Sequence, residues 1–576
     1  MTLGNPLELR EDSPMLTPET RAELEAALAD LAENKERWAR LDLDQHITIL
    51  EEITRDLRDV APRWIGASLE AKGLAPGSYG EGEEWVVLAV VFRLVRLLRA
   101  SLEQIRASGR PGLPGAIHAR PDGQTVARVF PLALWERLFL AGMEAEAWLE
   151  PGVRVEEVAA SQARSCRERG PGGVALVLGA GNVSALAPAD LLHKLFVEGR
   201  VVLLKPNPVN AYLAPLYERG FRALIRRGFL RVVSGGAAEG AFLCGHPLVD
   251  ELHMTGSDRT YEAIVFGPGT EGARRRAEDR PLVDKPFSAE LGNISPVIVV
   301  PGPWSDDDVA AQGGRIASWM VNNAGFNCLT PRVLVQHDGW GRRRALRRAV
   351  RRALGAAPPR RAYYPGARAR HAAFLDAHPD ARMIGSPAEG ELPWTLIEEV
   401  DPTRTDDICF RTEAFCALTA ETGIPGSSVA EFIERAVDFA NETLWGTLTA
   451  SILVHPKSLG DRQVARAVDR AVARLRYGTV VINNYGGMAY YLGVAPWGAF
   501  PGHHRRDIQS GTGFVQNALM LDRVQKSVVR CPFRPRPDPS ALTSRRFHEF
   551  GRALALYEAD PSVLGVPGVL ASVLRS

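Results

Sequence analysis

From residue 172 onward the chain alternates short, wholly apolar runs with helix-length segments, and this rhythm constrains its fold more than any other feature. Val174-Ala175-Leu176-Val177-Leu178 ends in Gly179-Ala180-Gly181-Asn182, and Val201-Val202-Leu203-Leu204 ends in Lys205-Pro206. Leu230-Arg231-Val232-Val233 ends in Ser234-Gly235-Gly236, and Leu252-His253-Met254 runs into Thr255-Gly256-Ser257. Runs without polar alternation are buried on both faces, and strands of that kind separated by helices form a doubly wound parallel sheet. Ligands of such sheets bind beyond the carboxyl ends of the strands. Here those ends carry the small and polar residues that a dinucleotide needs. A second α/β unit begins near Pro296 and continues through Arg332 to Val335, Thr449 to Val454 and Gly478 to Asn483.

With 576 residues the chain exceeds what one core supports. Helical spacing predicts a helical N-terminal region over 1–115 and a helical tail over 534–576. Ile117 to Val129 reads as a hairpin turning at Pro121-Asp122-Gly123, and Leu132 to Leu149 as a helix. The arginines at 93, 96 and 99 follow an apolar run and predict an amphipathic helix with one basic face, packed on the body of the protein. Arg342 to Arg352 reads as a solvated helix face. The run Trp85 to Phe92 falls short of the roughly 20 residues of a spanning helix, so no membrane span is expected.

The net charge of +1 gives no electrostatic case for nucleic acid. Six cysteines without CxxC spacing argue against a disulfide framework or a zinc site and favour a reducing compartment. The start Met1-Thr2-Leu3-Gly4-Asn5-Pro6 has no basic flank before an apolar run, so a cytoplasmic location is expected. Lysine occurs only at 35, 72, 194, 205, 285, 457 and 526, which lends weight to any lysine that falls in a motif.

Two motifs carry chemistry. Cys328 closes the run Asn323-Ala324-Gly325-Phe326-Asn327-Cys328, and Glu290 opens Glu290-Leu291-Gly292-Asn293-Ile294-Ser295-Pro296. A thiol can add to an aldehyde to give a thiohemiacetal able to release hydride, and a carboxylate can activate the water that hydrolyses the resulting thioester. Either motif alone is weak, since most lone cysteines are small buried apolar residues.

The order of motifs gives them weight. Asn182 in Gly181-Asn182-Val183-Ser184, then Lys205-Pro206, Met254-Thr255-Gly256-Ser257, Glu290 to Pro296, Asn323 to Cys328, Glu413-Ala414-Phe415 and Pro496-Trp497-Gly498 follow one another at plausible spacings. From about residue 150 to 530 this series resembles the NAD(P)-dependent aldehyde dehydrogenase superfamily, of which the chain is a divergent member. The resemblance implies two doubly wound domains, a coenzyme-binding one over 116–292 and one over 293–487 that carries the nucleophile, with a return to the first over 488–533 and a small oligomerisation hairpin near 152–170. It implies Cys328 as nucleophile, Glu290 as the deacylating base and Asn182 as holder of the oxyanion. It further implies Lys205 at the adenosine ribose, Gly256 and Ser257 at the pyrophosphate, and Glu413 and Phe415 at the nicotinamide ribose and ring. The coenzyme would be NAD or NADP, with no metal required. The oligomerisation elements would be Val153 to Arg169 and Val524 to Arg530, the latter an exposed edge covered in a homodimer or homotetramer.

Departures from the family pattern bear on function. Pro208 stands three positions after Lys205, where members that prefer NAD often carry Glu, so the choice between coenzymes stays open. Asn293-Ile294 replaces a Gly-Lys pair beside the base, and Phe326 replaces a Gln. Trp319, Phe326 and Trp497 suggest an aromatic-lined aldehyde pocket, and His503 and His504 read as a surface loop. The expected reaction is oxidation of an aldehyde to a carboxylic acid. The alternatives are a CoA-acylating enzyme or acyl-thioester reductase, and an inactive scaffold.

Overall fold

The structure is a computed structural model and describes residues 16–168, 170–535, 538–562 and 565–575. Met1 to Pro6, on which the leader argument rested, lie outside the described residues, as does Arg169.

Two sheets form the body. A six-stranded sheet runs in the spatial order Gly511–Thr512, Phe287–Glu290, Glu251–Thr255, Val174–Leu178, Val201–Lys205, Leu230–Val232. All its pairings are parallel except that of Gly511–Thr512, which lies antiparallel against Ala289 and Glu290. The four apolar runs beyond Gly172 are therefore strands, and the segment near residue 511 returns to this sheet. The second sheet has eleven strands. Its centre is parallel, with Ser295–Val299 between Thr449–Leu453 and Pro331–His337. Among the described residues, no helix is long and apolar enough to cross a membrane.

Three long helices, Pro18–Arg40, Leu43–Lys72 and Tyr79–Ser108, form the N-terminal region as expected. Each starts on a side-chain cap (Thr17, Asp42, Ser78), and the last two end on left-handed glycines at 73 and 109. The basic face expected on the third helix is turned inward at Arg93 and Arg96, and only Arg99 stays half-exposed. Arg93 is fully buried, donating to Glu136 Oε1 at 2.6 Å, Glu558 Oε1 at 3.0 Å and the Leu492 carbonyl at 2.9 Å. Arg96 joins it on Glu558 Oε2. The C-terminal helix Phe547–Ala559 lies along this helix, and Glu558 supplies its counter-charge. Breaking such a buried pair costs about 3–5 kcal/mol.

Other expectations need correction. Leu132 to Leu149 holds only a short helix, Leu134–Phe139. Glu144–Leu149 is a strand, because its alternation of Glu and Ala fits a two-residue period although both are good helix formers. The expected oligomerisation hairpin near 152–170 is instead two short helices, Val155–Ser161 and Arg164–Arg167. The hairpin lies earlier, where Ile117–Ala119 pairs with Thr125–Phe130 and the latter with Glu144–Leu149. Val524–Arg530 is not an exposed edge. Within the same chain it pairs in parallel with Thr479–Ile482 and antiparallel with Glu144–Leu149. This strand therefore offers no bare edge for a second copy to cover. The arginine-rich helix Arg343–Ala356 is only partly a solvated face. Arg343 and Arg347 reach the buried Glu421 at 2.7 and 3.3 Å, and Arg351 reaches Glu398 at 2.6 Å.

Candidate active site

The two sheets meet so that the carboxyl ends of the first face the amino ends of the second. Glu290 is the last residue of strand Phe287–Glu290, and Cys328 precedes strand Pro331–His337. The Cys328 thiol donates to Glu290 Oε1 at 3.2 Å. Burial, reinforced by the Asp190 carboxylate, pushes the Glu290 carboxyl up to about 7. Burial together with the carboxylates of Glu290 and Glu413 pushes the Cys328 thiol well above its ordinary value. The second oxygen of Glu290 is buried without a hydrogen-bond partner.

The backbone before the thiol is tightly folded. Asn323, Ala324 and Gly325 take φ of 48°, 56° and 77°, three successive left-handed residues. Non-glycine residues held there cost on the order of 1–3 kcal/mol each, so the surroundings must fix them. Asn323 does much of this. Its amide donates to the carbonyls of Asn182 at 3.0 Å and Phe326 at 3.1 Å. Its oxygen accepts from Lys72 Nζ and Tyr363 Oη, both at 3.0 Å. Lys72 closes the second N-terminal helix and is paired with the buried Glu84 at 2.6 Å. Arg332, also buried, donates to the Gly325 carbonyl at 2.6 Å and the Cys416 carbonyl at 2.8 Å, joining this loop to the Glu413 loop. A Cβ on Gly325 would meet the Cys416 carbonyl oxygen at 2.4 Å, so the approach admits only glycine.

Asn182 is buried in the turn that follows strand Val174–Leu178, and its amide donates to the Phe326 carbonyl at 2.9 Å, beside the thiol. The altered pair Asn293-Ile294 is accommodated without loss. Asn293 donates to Ser295 Oγ and the Thr449 carbonyl, both at 2.9 Å, and accepts from Leu448 N–H at 3.3 Å. Ser295 Oγ in turn donates to the Cys328 carbonyl at 3.2 Å.

A cleft of about 790 Å³ opens from Cys328 and Glu290 along the carboxyl ends of the first sheet. Asn182, Lys205, Pro208, Gly256, Ser257, Glu413 and Phe415 all line it, so the structure places the residues expected for catalysis and coenzyme binding around one cleft. Lys205 ends its strand and is largely buried, which lowers its ammonium from the ordinary value. Ser257 caps the helix Asp258–Phe266, accepting from Thr260 N–H at 3.1 Å. Burial pushes the Glu413 carboxyl up to about 7, against the pull of Arg332, and its Oε1 is buried without a partner. Gly292 is what lets this carboxylate in, since a Cβ there would lie 2.2 Å from Glu413 Oε2. A cradle of small residues and an unpartnered carboxylate facing it fit a coenzyme with a ribose hydroxyl to donate.

The expected aromatic pocket is a correction. Trp319, Phe326 and Trp497 are core residues that do not line the cleft. Trp319 stacks on Tyr485, Trp497 packs edge-on against Tyr490, and Phe326 packs edge-on against Tyr363 at 4.9 Å. The cleft is walled instead by Tyr364, Arg370, Arg411, Thr412 and Trp445, which no local motif marked. His503 bonds Thr447 Oγ1 and lies outside the cleft lining.

The aldehyde dehydrogenase family model matches residues 141–356. The N-succinylglutamate 5-semialdehyde dehydrogenase of Sphingopyxis alaskensis is 27% identical over 258 residues, covering 44% of this chain and 49% of that protein. The human (Homo sapiens) 4-trimethylaminobutyraldehyde dehydrogenase is 31% identical over 173 residues, covering 30% of this chain and 32% of that protein. The matched segments thus span a third to a half of these relatives' own length. Among solved structures, betaine aldehyde dehydrogenase from Staphylococcus aureus superposes with a TM-score of 0.57 at 16% identity, covering 90% of this chain and 91% of that one. Over residues 141–356 the chain matches the aldehyde dehydrogenase family, and its fold is that of solved aldehyde dehydrogenases.

Proposed function

We propose that this protein oxidises an aldehyde to a carboxylic acid with NAD or NADP, through a thioester on Cys328. The observation that carries the reading is the 3.2 Å contact between the Cys328 thiol and Glu290 at the inner end of a cleft shaped for a dinucleotide. A thiol raised by burial needs a base to become a nucleophile. Glu290, poised near 7, takes its proton as the sulfur adds to the aldehyde carbon. Asn182 and the Cys328 N–H then hold the oxyanion. Donors preorganised for developing charge are worth about 3–4 kcal/mol each. A nicotinamide coenzyme held in the cleft would supply the acceptor for the hydride lost by that carbon, and loss of the hydride leaves the acyl group on the Cys328 sulfur. Glu290, once it has passed the first proton to solvent, accepts a proton from water attacking the thioester carbon and returns it to the sulfur as the C–S bond breaks and the acid is released.

Lys205 and Glu413 are the ribose ligands in this reading, Gly256 and Ser257 face the pyrophosphate, and Phe415 borders the nicotinamide. The Staphylococcus aureus structure is in complex with NAD+, which supports a nicotinamide coenzyme here. The six-stranded sheet is then the coenzyme-binding domain, and the eleven-stranded sheet carries the nucleophile.

The test is a screen of aldehydes with purified protein, NAD or NADP, with and without CoA, following absorbance of the reduced coenzyme. Turnover without CoA supports the reading. Turnover only with CoA shifts it to the acylating alternative, and no turnover with either coenzyme contradicts it.

A further inference from the structure

Outside the cleft, the fold assembles a second group of ligand atoms from residues whose spacing gave no hint of it. His378 follows the helix Ala367–Ala377, while Asp407 and Cys409 straddle the start of the short helix Ile408–Arg411. His378 Nε2 lies 2.9 Å from Asp407 Oδ1 and 3.5 Å from Cys409 Sγ, and the three ligand atoms all lie within 4.8 Å of one another. Asp407 and Cys409 are buried, while the His378 side chain keeps 16% of its surface exposed. Cys409 is a free thiol.

We propose that His378, Asp407 and Cys409 form a binding site for one thiophilic divalent cation of the zinc class. The spacing suits a tetrahedral ion. Bond lengths of about 2.3 Å to sulfur and 2.0–2.1 Å to nitrogen require a sulfur–nitrogen edge of about 3.6 Å. The observed edge is 3.5 Å. The corresponding nitrogen–oxygen edge is about 3.4 Å. The 2.9 Å hydrogen bond therefore opens by a few tenths of an ångström when the ion replaces its proton. Thiolate and imidazole select zinc or cobalt over magnesium or calcium. The charges also balance, because a thiolate and a carboxylate neutralise a divalent ion and leave no net buried charge. The exposed side of His378 gives an entry route and a fourth position for water.

The site is placed to stiffen the coenzyme side of the cleft. Arg370, on the helix leading to His378, donates to the Ala414 and Phe415 carbonyls, both at 3.2 Å. Glu413 follows two residues after the helix that Cys409 occupies. An ion bridging the two helices ties this loop at both ends.

The test uses the full chain carrying Cys328→Ser, which removes the cleft thiol as a competing ligand and leaves the cluster intact. Titration with Co2+ should give one equivalent bound, with thiolate-to-cobalt charge-transfer absorption that Zn2+ abolishes. Adding Cys409→Ser should remove the absorption, and adding His378→Ala should weaken binding at least tenfold. Circular dichroism checks that each variant is folded. No charge-transfer band, or a band that survives Cys409→Ser, would overturn the proposal.

Discussion

The thiol of Cys328 and the carboxyl of Glu290 come together at 3.2 Å from two different sheets, one residue at the carboxyl end of a strand and the other at the amino end. Burial holds the carboxyl near 7 and the thiol higher still. The pair is therefore neutral and hydrogen-bonded at acidic pH, and becomes competent as the carboxyl ionises.

Turnover should follow that ionisation. A carboxyl raised to about 7 is protonated below neutrality, so kcat should rise with pH through an apparent pKa near 7 and level off above it. The same shift works against stability. Between the unfolded value of 4.5 and about 7 the folded state holds the extra proton, so this group's contribution falls as pH rises through that window. Glu290→Gln should accordingly melt higher than the parent at pH 8, with the difference shrinking at pH 5. Thermal scans at the two pH values check this.

Lys72 ties the N-terminal helices to the turn before the nucleophile, donating to Asn323 at 3.0 Å across 251 positions of sequence. Replacing Lys72 with Met and its partner Glu84 with Gln removes the charges together and leaves neither buried alone. The double variant should lose about tenfold in kcat, or about 1.4 kcal/mol, with the coenzyme KM little changed. Alkylation of Cys328 by iodoacetamide should slow in parallel. Wild-type kcat and alkylation would show that the turn holds itself.

Gly292→Ala drives a methyl group into the Glu413 carboxylate, which lies 2.2 Å from that position. The coenzyme KM should rise at least tenfold, because Glu413 is displaced from the cleft wall. Thiol reactivity should be retained, since Asn293 and Ser295 still brace the Cys328 backbone. Coenzyme titration alongside thiol alkylation separates the two effects.

Pro208 begins a 3-10 turn at the cleft wall, exposed and without charge. With neither a carboxylate to repel a 2′-phosphate nor a cation on that turn to reward it, kcat/KM for NAD and NADP should agree within about tenfold, or roughly 1.4 kcal/mol. Pro208→Glu should shift the ratio toward NAD. Steady-state kinetics with both coenzymes decides it, and an unchanged ratio would move the selection elsewhere in the cleft.

Much of this arrangement is legible in one sequence, for physical reasons. Strands buried on both faces leave uninterrupted apolar runs, so the sheet from Val174 to Thr255 can be read directly. The residues at the ends of those strands face the cleft because topology puts them there. Glu144–Leu149 reads as helix because glutamate and alanine favour helices, yet their alternation suits a strand, and pairing with Val524–Arg530 settles the matter from far along the chain. Lys72, Tyr363 and Arg332 left no local signal, since each acts through a contact distant in sequence or with a backbone carbonyl. The chemistry of Phe326 and Trp497 suggests a pocket, yet an aromatic ring beside a nucleophile fills core as readily as it lines a cavity.

The central claim is that acylation and deacylation run on different demands upon the same pair, and Glu290→Gln tests it most directly. With any accepted aldehyde, rapid mixing should show a burst of reduced coenzyme close to one equivalent per site that develops more slowly than the parent's, because the thiol has lost its proton acceptor, followed by a steady rate at least a hundredfold below the parent. Mass spectrometry should find the acyl group on Cys328. A steady rate equal to the parent's, or a burst whose adduct lies on another residue, would contradict the account.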